Sequence, residues 1–157
     1  MKADEADLEA ISSIANEVLV GTGHSMMIEG WVVWDPTHPY KFAHMERSSP
    51  NRGVIHRARN SGGWCHVPDL TIFDRNAFDI LVAPDRGVEI YRAINPIRLI
   101  VEVDGGVHNR KMSKTVMRNN HYREANIHYI AVNKLDCEES GIDWKDAIRK
   151  EIRRVAY

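Results

Sequence analysis

Arg98-Leu99-Ile100-Val101-Glu102-Val103-Asp104-Gly105-Gly106-Val107-His108 is the most informative stretch of the chain. Leu99, Val101 and Val103 alternate with Arg98, Ile100, Glu102 and Asp104, the period-two pattern of a strand with one face in a core. Residues two apart lie on the same side of a strand, so Glu102 and Asp104 project together from its end. Two carboxylates held that close repel, and a divalent cation is the usual relief. Gly105-Gly106 frees the backbone to turn tightly, with His108 just beyond. An acidic pair at a strand end, a glycine turn and a histidine read as a metal-dependent hydrolytic site. A strand ending in a polar turn is the plainer alternative.

Working outward, 157 residues suit one domain, 1–157, large enough for a real core. A hydrophobic content of 43% with 27% charged residues is that of an ordinary globular protein and excludes a disordered chain. No apolar run approaches a membrane span, so no membrane partner is expected. The start, Met1-Lys2-Ala3-Asp4-Glu5, lacks the basic and apolar regions of a signal peptide. Cys65 and Cys137 are too few for a disulfide framework, although one bridge is possible, and a reducing cytoplasm is the expected location.

The net charge of −1 argues against indiscriminate polyanion binding, but the charges are segregated. The first seventeen residues carry Asp4, Glu5, Asp7, Glu9 and Glu17 against Lys2 alone. Residues 41–60 carry Lys41, Arg47, Arg52, Arg57 and Arg59 against Glu46, and residues 108–124 carry Arg110, Lys111, Lys114, Arg118 and Arg123 against Glu124. Such segregation can give a neutral protein a basic face for a phosphate backbone, although each run can also be simply a solvated surface.

Periodicity predicts a helix over 4–20, with Leu8, Ile11, Ala15, Val18 and Leu19 on one stripe. It predicts one strand from Met27 to Trp34 and a long basic loop over about 36–63, rich in His, Arg, Pro, Ser and Gly. Strands follow after Pro68, over Ala77–Ala83, over Val88–Ile94 and over Ile97–Asp104. A helix over 111–126 turns Met112, Val116, Tyr122 and Ala125 to one face. A strand over Ile127–Asn133 and a last helix capped by Asp143 complete the order.

A helix, a small sheet with an acid on one strand, an acid pair on the next, then helix and strand: this order resembles the PD-(D/E)xK nuclease fold. Phe78-Asp79-Ile80 matches the first acidic motif and Val101-Glu102-Val103-Asp104 the second. Val-Glu-Val-Asp-Gly-x-x-His (101–108) is similar to the motif of very-short-patch-repair-type endonucleases and related homing endonucleases. The resemblance covers roughly residues 64–134 and implies an α/β restriction-endonuclease-like core, with a mixed central sheet flanked by helices. The chain departs from the family pattern in lacking the motif lysine and in the long gap between Asp79 and Glu102. Pro68-Asp69 is a rival first motif; Asp79 is preferred for its cleaner hydrophobic strand and shorter distance to Glu102.

The resemblance implies a divalent-metal-dependent DNA endonuclease of homing, repair, nicking or junction-resolving type. Asp79 and Glu102, with the Val103 carbonyl, would hold Mg²⁺ or Mn²⁺ through hard oxygen ligands. Asp104 would ligate further or orient the attacking water, and His108 would act as general base or acid. Arg110, Lys111 and Lys114 would clamp phosphates. Arg118 fits an arginine often found on the family's helix, and Arg52, Arg57 and Arg59 are candidate DNA contacts. Glu9 and Glu17 are candidates for a helix acid that completes such sites, with a solvated surface the preferred reading of both, and cutting both strands would call for a homodimer. The rivals are a non-catalytic nucleic-acid-binding module on the same fold and a metal-dependent hydrolase of a small phosphorylated substrate. His24, His38, His44, His56, His66 and Cys65 lack structural-zinc spacing. Trp31, Trp34 and Trp64 suit either base stacking or core packing.

Overall fold

The run Met27 to Trp34 is two strands, not one, and the break between them organises the molecule. Glu29 adopts φ +50° and its N–H donates to the Asp69 carbonyl at 3.1 Å. At Gly30 a Cβ would stand 2.0 Å from Met27 Sδ and 3.2 Å from the Met45 carbonyl oxygen, so the Met27 side chain packs closely over the glycine. The chain thereby passes from β1 (His24–Ile28) in one sheet to β2 (Trp31–Trp34) in another. The computed structural model describes residues 4–38, 41–74, 79–83, 87–92, 96–105 and 112–157, with the backbone alone described for 79–83, 87–92 and 112.

The first sheet has four strands in the order β1-β5-β8-β9, where β5 is Leu70–Asp74, β8 is Ile97–Asp104 and β9 is Tyr129–Asn133. β5 runs antiparallel to both β1 and β8, and β9 runs parallel to β8. A parallel neighbour needs a crossover, which α3 (Met112–Glu124) supplies. On one face lie α1 (Glu5–Leu19) and α5 (Trp144–Ala156), packed against each other. The Asp4 carboxylate caps α1 by accepting from the Asp7 N–H at 2.8 Å, and Asp143 caps α5. Helical spacing gives α1 the buried stripe Ile11, Ile14, Ala15, Val18 and Leu19, while α5 buries Ile148 and Ile152. These meet Leu70, Ile72, Leu99, Val101, Val103 and Val132 in one core, where each fully buried isoleucine contributes about 1.5–3 kcal/mol.

The opposite face of β8 is covered as well. Ile100 is fully buried with Tyr122, Ala125, Ile127, Val32 and Trp64, so the strand is central rather than half-exposed. Its span, Ile97–Asp104, is the one the alternation predicts. Tyr122 of α3 and Ala125 just after it are buried as expected, whereas Val116 is 50% exposed and the Met112 side chain lies outside the described residues.

The second sheet, antiparallel throughout, has the order β4-β2-β3-β7-β6, with β3 at Phe42–Met45, β4 at Trp64–His66, β6 at Asp79–Ala83 and β7 at Gly87–Arg92. The stretch expected to be a loop, 36–63, thus holds β3 and α2 (Arg52–Asn60). All four residues of β3 are buried, so it shows no alternation. α2 is short, capped by Asn51, and seats only Val54, Ile55 and Ala58 against Val33, Ala43 and Met45, too small a stripe to stand out among its arginines. α4 (Lys134–Glu139) buries none of its residues, which explains why no apolar period marks it. The architecture is mixed α/β, a mixed sheet with flanking helices beside a second antiparallel sheet. No helix of the described residues is long and apolar enough to cross a membrane.

Candidate active site

The β5–β8 ladder sets Leu70 opposite Val101 and Thr71 opposite Ile100. One further step in that register puts Asp69 opposite Glu102, where the two strands are joined through side chains. The Asp69 N–H donates to Glu102 Oε1 at 3.1 Å, and the Val103 N–H donates to Asp69 Oδ2 at 2.7 Å. Asp69 is 7% exposed and Glu102 4%. Buried polar groups must be paired, and here two backbone donors find carboxylates.

α3 closes the site from above. Arg118, His121 and Tyr122 stand three and four residues apart and share one helical face. Tyr122 O–H donates to Glu102 Oε2 at 2.9 Å, and Arg118 Nε lies 3.1 Å from the same oxygen. The two terminal nitrogens of Arg118 each donate to an Asp104 oxygen at 3.2 Å, the fork geometry that suits a carboxylate. One guanidinium therefore spans Glu102 and Asp104, with Asp69 alongside.

Burial drives the electrostatics. It pushes the Glu102 carboxyl up to about 7, helped by the neighbouring Asp69, against the opposing pull of Arg118 and of the two hydrogen bonds. Asp69 is pushed up to about 6, again chiefly by burial, with Asp104 adding to the rise and the Val103 N–H resisting it. With both carboxyls buried beside a single guanidinium, Asp69 and Glu102 titrate closer to neutrality than exposed acids do. Tyr122 is raised well above the ordinary tyrosine value, first by burial and then by Glu102.

A histidine pair adjoins the site. His66 Nε2 and His121 Nδ1 are 2.9 Å apart, and the Trp64 ring stacks on His121 with centroids 5.9 Å apart. Burial first, then the charges of His121, Arg118 and Arg59, lower His66 to about 4. Nothing in the sequence pairs His66 with His121. Tyr122 was legible only as an apolar stripe residue, although its spacing of four from Arg118 was the available signal.

Of the residues singled out from sequence, Glu102, Asp104 and Arg118 come together, and Val103 joins them through its N–H. The partner of Glu102 is Asp69, not the preferred Asp79. Asp79 lies in β6, the edge strand of the second sheet, opposite Tyr91. The pairing register decided between them, and hydrophobic pattern alone does not display register. Neither Glu9 nor Glu17 joins the site: Glu9 is exposed and Glu17 faces Arg149 at 3.7 Å. The buried acid of α1 is Asp7, whose two oxygens accept from Lys134 Nζ at 3.0 Å. Lys114 is exposed on the first turn of α3. Arg57 is bound to Asp35 at 3.0 Å, whereas Arg52 and Arg59 are exposed on another side of α2. His108, Arg110 and Lys111 lie outside the described residues. Cys65 and Cys137 are free thiols. Among the described residues no group of three or more His, Cys, Asp or Glu side chains is disposed to hold a metal ion, Arg118 standing between the acids instead. Comparison with known protein families, curated proteins and solved structures found no match to the chain.

Proposed function

We propose that this chain is a divalent-metal-dependent endonuclease that hydrolyses phosphodiester bonds of DNA, on a core of the PD-(D/E)xK type. The observation that carries the proposal is the cross-strand clasp of Asp69 with Glu102 and Val103, with Asp104 two residues on. It supports a first motif at Pro68-Asp69 and a second at Glu102-Val103-Asp104. Support for the core comes from the order helix, three antiparallel strands, helix, parallel strand, which α1, β1, β5, β8, α3 and β9 follow once the second sheet is set aside as insertions.

The donor chemistry suits Mg²⁺ or Mn²⁺: Asp69, Glu102 and Asp104 carry hard oxygens, and Arg118, which stands between the acids, would have to yield for one ion to reach all three. Asp69, Glu102 and Asp104 would hold the ion, which supplies Lewis-acid stabilisation of charge at the phosphate. Arg118 would exchange its contact with Asp104 for the phosphodiester, which its planar fork fits equally well. His108 remains the candidate for protonating the leaving oxygen. A second copy of the chain would serve the opposite strand.

One observation favours a second reading. Arg118 already bridges Glu102 and Asp104, as it would in a DNA-binding module whose acids serve only the fold. Cleavage of supercoiled plasmid with Mg²⁺ or Mn²⁺ separates the two. Metal-dependent nicking that falls at least a hundredfold in Asp69→Asn and in Glu102→Gln, and survives in Asp79→Asn, is the expected result. Loss in Asp79→Asn with retention in Asp69→Asn would reverse the ligand assignment. Wild-type protein that binds DNA and never nicks it would establish the binding module.

A further inference from the structure

α2 presents two unlike sides. Arg57 turns to the buried Asp35, while Arg52, Ile55, His56 and Arg59, at positions i, i+3, i+4 and i+7, share one face. That face, with Trp31 at the start of β2 and Arg47, lines a cleft of about 390 Å³. Arg47 is matched by Glu29 at 2.6 Å, whereas Arg52 and Arg59 form no ion pair among the described residues. The Trp31 indole N–H is buried and has no acceptor among the described residues. The cleft is thus cationic and aromatic on one wall.

Its chemistry selects the occupant. An aromatic wall beside guanidinium groups fits a nucleobase with its phosphates. Arg52 and Arg59 stand seven residues apart, about 10 Å along the helix axis, too far to grip one phosphate together and suited to successive phosphates of an extended strand. Inside a paired duplex a base is stacked on both faces, so an indole can reach the flat of a base only where that base is unpaired. A chain of neighbouring side chains leads from Arg59 towards the carboxylate site. The charge of Arg59 acts on Cys65 and on His66, and His66 meets His121, one helical turn from Arg118.

We propose that this cleft receives an unpaired nucleotide of the DNA strand, its base against Trp31 and the flanking phosphates on Arg52 and Arg59. The substrate is accordingly DNA that carries a gap, bulge or single-stranded branch beside duplex, rather than uninterrupted duplex. The inference rests on the DNA reading of the carboxylate site, and the two are separable by experiment.

The test measures fluorescence anisotropy in EDTA, so that no cleavage intervenes, with a labelled duplex and the same duplex carrying a three-nucleotide gap. Wild-type protein should bind the gapped DNA at least tenfold more tightly. Trp31→Ala, and independently the exposed double variant Arg52→Gln/Arg59→Gln, should reduce affinity for gapped DNA to that for paired DNA. Circular dichroism checks each fold, and the arginine pair keeps the test decisive if Trp31→Ala does not fold. Equal wild-type affinity for the two DNAs, or a preference that survives in the folded arginine variant, overturns the inference. Asp69-dependent nicking without any preference for the gap would sink the cleft and leave the nuclease reading standing. A gap preference lost in the arginine variant, from a protein that cleaves neither DNA with metal, would establish the cleft and remove the nuclease reading.

Discussion

Glu102 is the residue on which the site's electrostatics turn. In the unfolded chain its carboxyl titrates near the ordinary glutamate value of 4.5, and in the folded protein near 7. Between those values the folded state holds a proton that the unfolded state has lost, so this group favours folding most at the acid end. Its contribution falls as pH rises from about 4.5 to about 7. Asp69 acts in the same direction over the window from 3.8 to about 6. His44 and His66, both lowered to about 4 by burial, act in the opposite sense below 6.5, so the informative quantity is the difference between variant and wild type. Glu102→Gln should flatten the decline in urea midpoint between pH 5 and 7, losing a slope worth about 1.4 kcal/mol per unit difference in pKa at most. An unchanged profile would mean that Glu102 is charged in the folded protein throughout. At this scale the sequence displayed Glu102, Asp104 and Arg118, because alternation and a helical arginine are local signals. Strand pattern and sequence distance favoured Asp79 over Asp69, but which acid faces Glu102 depends on which strand lies beside β8, and that is Asp69's.

At the scale of elements, two glycines make opposing demands on their surroundings. A Cβ at Gly63 would stand 2.0 Å from the Trp34 carbonyl oxygen and 3.0 Å from that of Ala58, both backbone atoms that cannot swing aside. A Cβ at Gly30 meets chiefly the flexible Met27 side chain. Gly63→Ala should therefore lower stability by more than about 3 kcal/mol, and Gly30→Ala by about 1–3 kcal/mol, the ordinary penalty of overpacking. Urea unfolding checks the order; a Gly30 variant less stable than the Gly63 variant would contradict it. The same two positions show why residues 36–63 were hard to read. β3 is buried along its whole length and α2 carries a narrow apolar stripe, so neither has the alternation or amphipathic breadth that made β8, α1 and α5 legible. The division of 27–34 at Glu29-Gly30 was equally hidden, because Met27, Ile28, Trp31 and Val32 make one continuous apolar run whose break lies in backbone geometry.

Over the whole molecule, the helices α1 and α5 form a rigid backing to the sheet whose far side carries the carboxylates. Ile148 is fully buried in that backing among residues that include Leu99, Val101 and Val103 of β8. Ile148→Ala should cost about 2–5 kcal/mol through the cavity it leaves, read as a lowered denaturation midpoint. A change below about 1 kcal/mol would mean that the backing collapses to fill the void. Segregated charge belongs to this scale too. A chain of net charge −1 still places Arg52 and Arg59 together on an exposed helix face, which composition alone would not disclose.

The joint between β5 and β8 has a further consequence. At most sheet ends the last amides exchange their hydrogens as the strands fray, and the rate measures that fraying. The amides of Asp69 and Val103 are fastened to carboxylates instead, so their exchange follows what happens to those acids. A protonated carboxyl is a poorer acceptor, and protection at Val103 should therefore weaken below about pH 6 while protection at Leu99, deep in the ladder, stays level. Parallel behaviour of the two amides would show that the clasp follows the sheet. Two backbone hydrogens thus become listeners at the site: any ligand that draws on Asp69 or Glu102 loosens or tightens them, and announces itself before a single bond of substrate is broken.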